Sequence, residues 1–303
     1  MSETYQKLAI LFLDTDKHVS PFEPLMAIDL FPNAKILLYS NVEPEDARKI
    51  VQDAMFPRGP KGVRNTKMFI GGYDFEKVEK IVEIVKQSMF PPFEFSVVVD
   101  PRGANTTASA AVAKMLQLSI KHGIDSLKDR TVVVLAGTGP VGIVASILFG
   151  LEGANVIITS RSFEKAQTAA QKVNREIGSE KAIGVKAHTF EEIGKAIENA
   201  ELVLASGAAG VRLLPIEILK SCGRRVKVVA DVNAVPPTGI EGLDPNDEDR
   251  EIVSGVYGVG ALRIGGLKNR ILAELFKRAV ESPKGIFDYR AAYEIAKQLI
   301  AGK

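Results

Sequence analysis

Short apolar runs alternate with longer amphipathic stretches along most of this chain. Runs of strand length lie at 8–13, 34–39, 68–70 and 95–99, and a second set at 131–136, 155–159, 184–187, 202–205 and 226–230. The second set is rich in Val and Ile without polar alternation, the pattern of strands covered on both faces. Between the runs the period lengthens to that of a helix. Over 74–90, Val78, Ile81, Val82 and Val85 fall on one stripe, and Asp74 is placed to cap its start. Strands alternating with helices predict parallel sheets built from βαβ units, hence an α/β fold. A polar turn at 123–130 separates an Ala-rich helix at 105–121 from the strand at 131. The expected division is an α/β domain over 1–125 and a second parallel-sheet domain over 126–266. Two final helices, 267–280 and 289–301, belong to a segment 267–303 that returns to the first domain. Pro236-Pro237 and the acidic run 244–251 predict a long loop.

Composition narrows the class. The 303 residues suit two ordinary domains, and a net charge of +2 from 39 basic and 37 acidic residues leaves no concentrated basic face. Nucleic acid is therefore not expected as a partner. No stretch approaches the roughly 20 apolar residues of a membrane helix. The polar segment 1–7 is unlike a signal peptide, so the expected compartment is the cytoplasm. Cys222 is the only cysteine and the three histidines are not at helical spacing from one another, so no metal site is expected.

The strongest motif runs from the strand at 131–136 into Gly137-Thr138-Gly139-Pro140-Val141-Gly142 and an apolar helix over 141–151. This is G-x-G-x-x-G in its strand–turn–helix context. Gly137 is expected to allow the tight turn, Gly139 to admit a pyrophosphate, and Gly142 to let the helix pack on the strand. Free N–H groups at the helix start would then face the phosphates. The next strand ends in Ser160-Arg161-Ser162, with Lys165 close behind. An NAD-selective site usually carries an acid there; a guanidinium between hydroxyls suits the 2′-phosphate of NADP, with NAD use left open.

Other candidates cluster after strands. Asp14-Thr15-Asp16 follows the first, and Asp100-Pro101 with Asn105-Thr106-Thr107 follows the fourth. Ligands gather at the carboxyl ends of such strands, so both are candidates to meet one substrate, although Asn105 or Thr106 would also serve as a helix N-cap. Ser206-Gly207-Ala208 would let a dinucleotide pass close to the backbone, and Asp231 and Asn233 are candidates for its nicotinamide end. Lys268, just after the pair Gly265-Gly266, is read as a lysine at a helix start, where it opposes the dipole and invites a functional role. Tyr73 and Lys77 have Y-x-x-x-K spacing but precede the Gly-rich loop, and are read as coincidence.

Together these motifs resemble the bacterial NAD(P)-dependent methylene-tetrahydromethanopterin dehydrogenases. The resemblance rests on 13–16, 103–107, 135–142, 231–239 and 264–268, in that order, and departs from the family pattern at Arg102 and Ala104. It implies a Rossmann-type NADP domain facing an N-terminal pterin-binding domain across a cleft, and a homo-oligomer with a trimer as the expected state. The implied reaction is hydride transfer from a methylene-tetrahydropterin to NAD(P)+, which needs no metal, nucleophile or general base. Asp14, Asp16 or Asp100 would then stabilise developing positive charge, and Lys268 would orient the pterin. A methylene-tetrahydrofolate dehydrogenase, a shikimate-type NADP dehydrogenase and a non-catalytic NADP sensor are the competing readings.

Overall fold

The computed structural model describes residues 7–302. The first part of the chain forms β1 (Ala9–Asp14), α1 (Phe22–Leu30), β2 (Lys35–Tyr39), α2 (Pro44–Met55), a one-turn α3 (Gly59–Gly62), β3 (Thr66–Gly71), α4 (Phe75–Ser88) and β4 (Ser96–Val99). Helix α5 (Ala104–Lys121) precedes β5 (Thr131–Leu135), α6 (Pro140–Leu151), β6 (Asn155–Ser160), α7 (Phe163–Ile177), β7 (Ala182–Lys186) and α8 (Phe190–Ile197). Then come β8 (Leu202–Ala205), α9 (Ile216–Cys222), β9 (Val228–Asp231), β10 (Glu248–Val253), β11 (Val256–Val259), α10 (Ala261–Glu281), β12 (Gly285–Phe287) and α11 (Tyr289–Ala301). No helix among the described residues is long and apolar enough to cross a membrane.

The described residues fall into two compact units, one of 7–105 with 270–295 and one of 106–269 with 296–302. In the first, five parallel strands lie in the order β12-β4-β3-β1-β2. One sheet face is buried under α2 and α4, with Leu11, Leu13, Met68, Ile70, Val97 and Val99 meeting Val51, Val78, Ile81 and Val85. Asp74 caps α4 as expected, its carboxylate accepting the N–H of Lys77 at 3.0 Å, a contact worth about 1 kcal/mol. On the other face Phe276 of α10 stacks on Phe69 at 5.8 Å and reaches Phe12 at 6.1 Å. That aromatic trio is what brings the end of α10 back to a sheet made some 200 residues earlier.

In the second unit the order is β10-β11-β9-β8-β5-β6-β7, parallel except for the edge strand β10. Starting from β5, the order β7-β6-β5-β8-β9-β11 is that of a doubly wound dinucleotide-binding sheet. Val132, Val133 and Val134 of β5 are fully buried at its centre.

Four features differ from those read in the sequence. Helix α5 groups with the second unit rather than the first, because its polar side chains are fastened to β10. Lys114 pairs with Glu248, Lys121 pairs with Asp249, and His122 Nε2 lies 2.6 Å from Asp249 Oδ1 while its ring stacks flat on Tyr257. The acidic run is accordingly not all loop: from Glu248 onward it is an exposed edge strand, bulged at Asp249, whose φ is +63°. Helix α10 begins six residues before the expected start, since Ala261, Ile264, Leu267, Ile271 and Leu275 keep one buried stripe through the Gly pair. The last residues of α11 group with the second unit, while 270–295 group with the first.

Lys67 of β3 is buried, and its ammonium donates to the carbonyl of Ser282 at the end of α10, which Ser96 Oγ also approaches at 2.8 Å. Burial lowers the Lys67 pKa to about 8, against roughly 10.4 for an unfolded lysine. The folded state therefore disfavours the charge below pH 8, and between about 8 and 10.4 the unfolded chain holds the extra proton, so stability rises with pH across that window. Denaturant titrations at pH 7 and pH 10 should show wild type gaining on the order of 1–3 kcal/mol relative to Lys67→Met. A constant difference between the two proteins would contradict the burial cost.

Candidate functional site

The dinucleotide-type loop sits at the carboxyl end of β5, beside β8, where the strand order reverses. Its three glycines do separate work. A Cβ on Gly137 would lie 2.8 Å from Val134 Cγ1 and 3.0 Å from Ile158 Cγ2, so the turn is pressed onto β5 and β6. A Cβ on Gly142 would lie 2.5 Å from Gly137 Cα, which means helix and turn touch backbone to backbone. Around Gly139 there is nothing within 4 Å, and its backbone is extended at φ −83°, ψ 170°. The left-handed residue of the turn is Ala136 (φ +51°), and one expectation is adjusted: Gly142 makes room for the turn rather than the strand.

Helix α6 starts with Pro140 and has no side-chain cap. The N–H groups of Val141 and Gly142 at its start carry the positive end of the helix dipole, with no acidic residue in the first turn, an arrangement that suits a phosphate. Thr138, Pro140 and Val141 are half-buried around this start. The open space at Gly139 and the uncapped helix fit a pyrophosphate, which would occupy what a side chain fills elsewhere.

Neighbouring loops complete the rim. Ser206 donates its N–H and its hydroxyl to the carbonyl of Leu135 at 3.0 and 3.1 Å, and a Cβ on Gly207 would meet Ala136 at 3.1 Å. Asn233 donates its side-chain amide to the carbonyls of Gly207 (2.7 Å) and Ala208 (3.4 Å), so that amide ties β9 to β8 rather than standing ready for nicotinamide. Asp231 is buried and accepts from the N–H groups of Asn233 (2.9 Å) and Ile240 (3.2 Å). Burial pushes its pKa up despite these bonds, and it anchors the 232–240 loop. Ser160, Arg161, Ser162 and Lys165 follow β6, with Arg161 and Lys165 exposed and Ser162 capping α7 through the N–H of Lys165.

In the first unit the order β2-β1-β3-β4-β12 reverses between β1 and β3, the place where open α/β sheets take ligands. Asp14, Thr15 and Asp16 leave β1 there. Asp14 accepts from the N–H groups of Asp16 (2.9 Å) and Ser20 (3.0 Å). Asp16 binds the N–H of Tyr73 at 2.9 Å through one oxygen and the guanidinium of Arg102 through the other (2.8 Å from Nε). One carboxylate thus braces the loops after β1, β3 and β4, and holds Arg102 at φ +47°, a costly angle for a residue with a Cβ. Asp100 is fully buried and accepts the N–H of Asn105 at 2.9 Å, so Asp100, not Asn105 or Thr106, caps α5. Asn105 donates to the carbonyl of Val99 at 2.7 Å. Thr15 Oγ1 and Asn105 Oδ1 are buried without a hydrogen-bond partner. Pro101 and Thr106 are buried and Thr107 is half-buried. Lys268 is half-buried in the third turn of α10, inside the helix rather than at its start, so the dipole argument for it fails.

The model for "Methylene-tetrahydromethanopterin dehydrogenase, N-terminal" matches residues 21–102. Along the whole length, the chain is 37% identical to "Bifunctional protein MdtA" of Methylorubrum extorquens, covering 97% of this chain and 99% of that one. It is 33% identical to the "NAD(P)-dependent methylenetetrahydromethanopterin dehydrogenase" of the same organism, covering 93% and 95%. The chain belongs to the methylene-tetrahydromethanopterin dehydrogenase family. Among solved structures, shikimate 5-dehydrogenase of Listeria monocytogenes, in complex with shikimate and NAD, superposes with a TM-score of 0.52 at 12% identity over 92% of this chain and 94% of that one. That likeness shows the fold alone.

Tyr73, set aside in the sequence as half of a chance Y-x-x-x-K match, stands at an end of the first sheet. The residue is 80% exposed at the β1/β3 reversal while its N–H is pinned by Asp16. The Gly71-Gly72 pair before it was the available signal. Gly72 has φ +128° and lies so close to Thr15 that no side chain fits.

The three-glycine geometry makes a paired prediction. Gly139→Val should keep its melting temperature within a few degrees yet lose calorimetric NADP binding. Gly142→Ala should lower stability by about 2 kcal/mol or more, because a Cβ there meets backbone that cannot move aside. Equal melting losses for both variants would contradict the assignment of an open seat at Gly139.

Proposed function

We propose that this chain oxidises methylene-tetrahydromethanopterin to its methenyl form with NAD(P)+, by direct hydride transfer. Family membership over nearly the full chain carries the reading, and the bare seat at Gly139 supports it. NAD(P)+ supplies the hydride acceptor, carbon 4 of its nicotinamide ring. The methylene carbon gives up one hydrogen with both bonding electrons, and the resulting cation is delocalised over its two nitrogens. The protein's work is then to bind, align and exclude water.

The second unit holds the dinucleotide. The turn 137–142 receives the pyrophosphate, and Ser160, Arg161, Ser162 and Lys165 receive the adenosine end. The loops at 206–208 and 231–233 carry the nicotinamide half. Thr15, Asp16, Pro101, Asn105, Thr106 and Thr107 hold the pterin, with Tyr73 offering a ring face to the planar substrate. The orphaned oxygens of Thr15 and Asn105 leave acceptors for pterin N–H groups. Asp14 and Asp100 stabilise the positive charge that develops on the product. Lys268 orients the pterin. The protein works in the cytoplasm as a homo-oligomer, a trimer. Phe22, Leu25 and Ile28 of α1 are exposed apolar residues at i, i+3 and i+6, suited to that assembly.

Absorbance of the methenyl product tests the reading, with methylene-tetrahydromethanopterin, methylene-tetrahydrofolate and shikimate assayed in parallel against NAD and NADP. Turnover fastest with the methanopterin substrate is expected. Oxidation of shikimate alone, or NADP binding with no turnover of any substrate, would overturn it. Lys268→Ala should lower kcat and kcat/KM for the pterin on the order of a hundredfold with NADP affinity close to wild type. A loss confined to NADP binding would move Lys268 to the cofactor.

A further inference from the structure

The adenosine end of the dinucleotide site carries more charge than the segment 160–162 supplies. Ser160, the last residue of β6, is paired in register with Lys186, the last residue of β7, and the N–H of Ala187 binds the Ser160 carbonyl at 2.9 Å. A second strand end therefore delivers an exposed ammonium to the level of Ser160. Lys186 Nζ lies 3.4 Å from Glu192 Oε1. Glu192 is held in turn by the N–H groups of His188 (2.8 Å) and Thr189 (3.0 Å) through its other oxygen. These backbone bonds pull its pKa down to about 2, so it is a permanent anchor for Lys186.

On the other side of Ser160, the Ser162 hydroxyl accepts from the N–H of Lys165 at 3.3 Å and donates to Glu164 Oε2 at 2.7 Å. The acid absent directly after β6 is thus returned by the first turn of α7. A serine hydroxyl has a single proton. It cannot serve the Glu164 carboxylate and a phosphate oxygen together. A ribose 2′-hydroxyl brings its own proton and can donate to Glu164 with Ser162 left as it is. A 2′-phosphate has acceptors only, is repelled by Glu164, and needs both the Ser162 proton and a cation.

We propose that Glu164 and Lys186 set the nucleotide preference of this site: Glu164 accepts the 2′-hydroxyl of NAD, while Lys186, with the Ser162 hydroxyl turned away from Glu164, takes the 2′-phosphate of NADP. The inference rests on reading 137–142 as a dinucleotide seat and 160–165 as its adenosine end. Both charged groups are exposed and neither packs in a core, so their replacement leaves the fold intact. The site then admits both cofactors, and the direction in which Ser162 points its proton records which one is bound.

Calorimetric titration of the full chain with NADP, NAD, 2′,5′-ADP and 5′-AMP tests this without any pterin. Lys186→Ala should weaken NADP and 2′,5′-ADP about tenfold at low salt, with NAD and 5′-AMP within about twofold, and raised salt should shrink the loss. Glu164→Gln should move the NADP-to-NAD affinity ratio about tenfold toward NADP. Parallel changes in the 2′-phosphorylated and 2′-hydroxyl ligands, or none, would overturn the inference. Wild type binding none of the four ligands would overturn the dinucleotide reading along with it. Selective shifts in a protein that turns over no pterin would leave this inference standing and remove the dehydrogenase reading.

Discussion

The contact between Gly142 and the backbone of Gly137 is the constraint on which the nucleotide-binding unit depends. With no side chain at either position, the first turn of α6 lies directly against the turn leaving β5. That closeness aims the helix start across the end of the sheet and leaves Gly139 facing open space. Close-packed interiors rarely forgo side-chain contacts, so a helix whose start is left bare of caps and side chains has exchanged packing for access. The surrounding loops repeat the choice: Ser206 and Asn233 spend their hydrogen bonds on neighbouring backbone, holding the rim rigid around the gap.

The pterin-binding unit proposed here relies on a different device, a charged brace. Asp16 ties together residues 57 and 86 positions away in the chain, the Tyr73 N–H and the Arg102 guanidinium. A carboxylate so placed costs little solvation, since it is met by an N–H and a fork of guanidinium donors. It also explains how Arg102 keeps a left-handed backbone in which a side chain is ordinarily strained. Asp14 and Asp100 follow the same logic, capping turns at the strand ends through backbone N–H groups.

Much of this was legible in the sequence, and the reasons for the remainder are physical. The buried Val run of β5, the G-x-G-x-x-G turn and the Asp74 cap are local patterns, in which residue type and spacing determine the outcome. Lys268 was placed on the right segment but at the wrong point in its helix, because a Gly pair that usually breaks helices was overridden by the buried stripe from Ala261 to Leu275. The assignment of α5 depended on Lys114, Lys121 and His122 finding Glu248 and Asp249 more than 120 residues later, which no window of sequence reveals. Glu164 and Lys186 share that character: each is an unremarkable exposed residue until the strand order and register show what it stands beside.

The reaction proposed for this chain needs no proton taken from carbon. The hydrogen moves with its electrons, straight from substrate carbon to cofactor. Methylene-tetrahydropterin carrying two deuterium atoms on the one-carbon bridge tests that most directly, by mass analysis of the reduced nicotinamide after turnover. The account predicts one deuterium in each reduced nicotinamide and none lost to water. Label appearing in solvent, with unlabelled reduced cofactor, would show proton abstraction by the protein and contradict it.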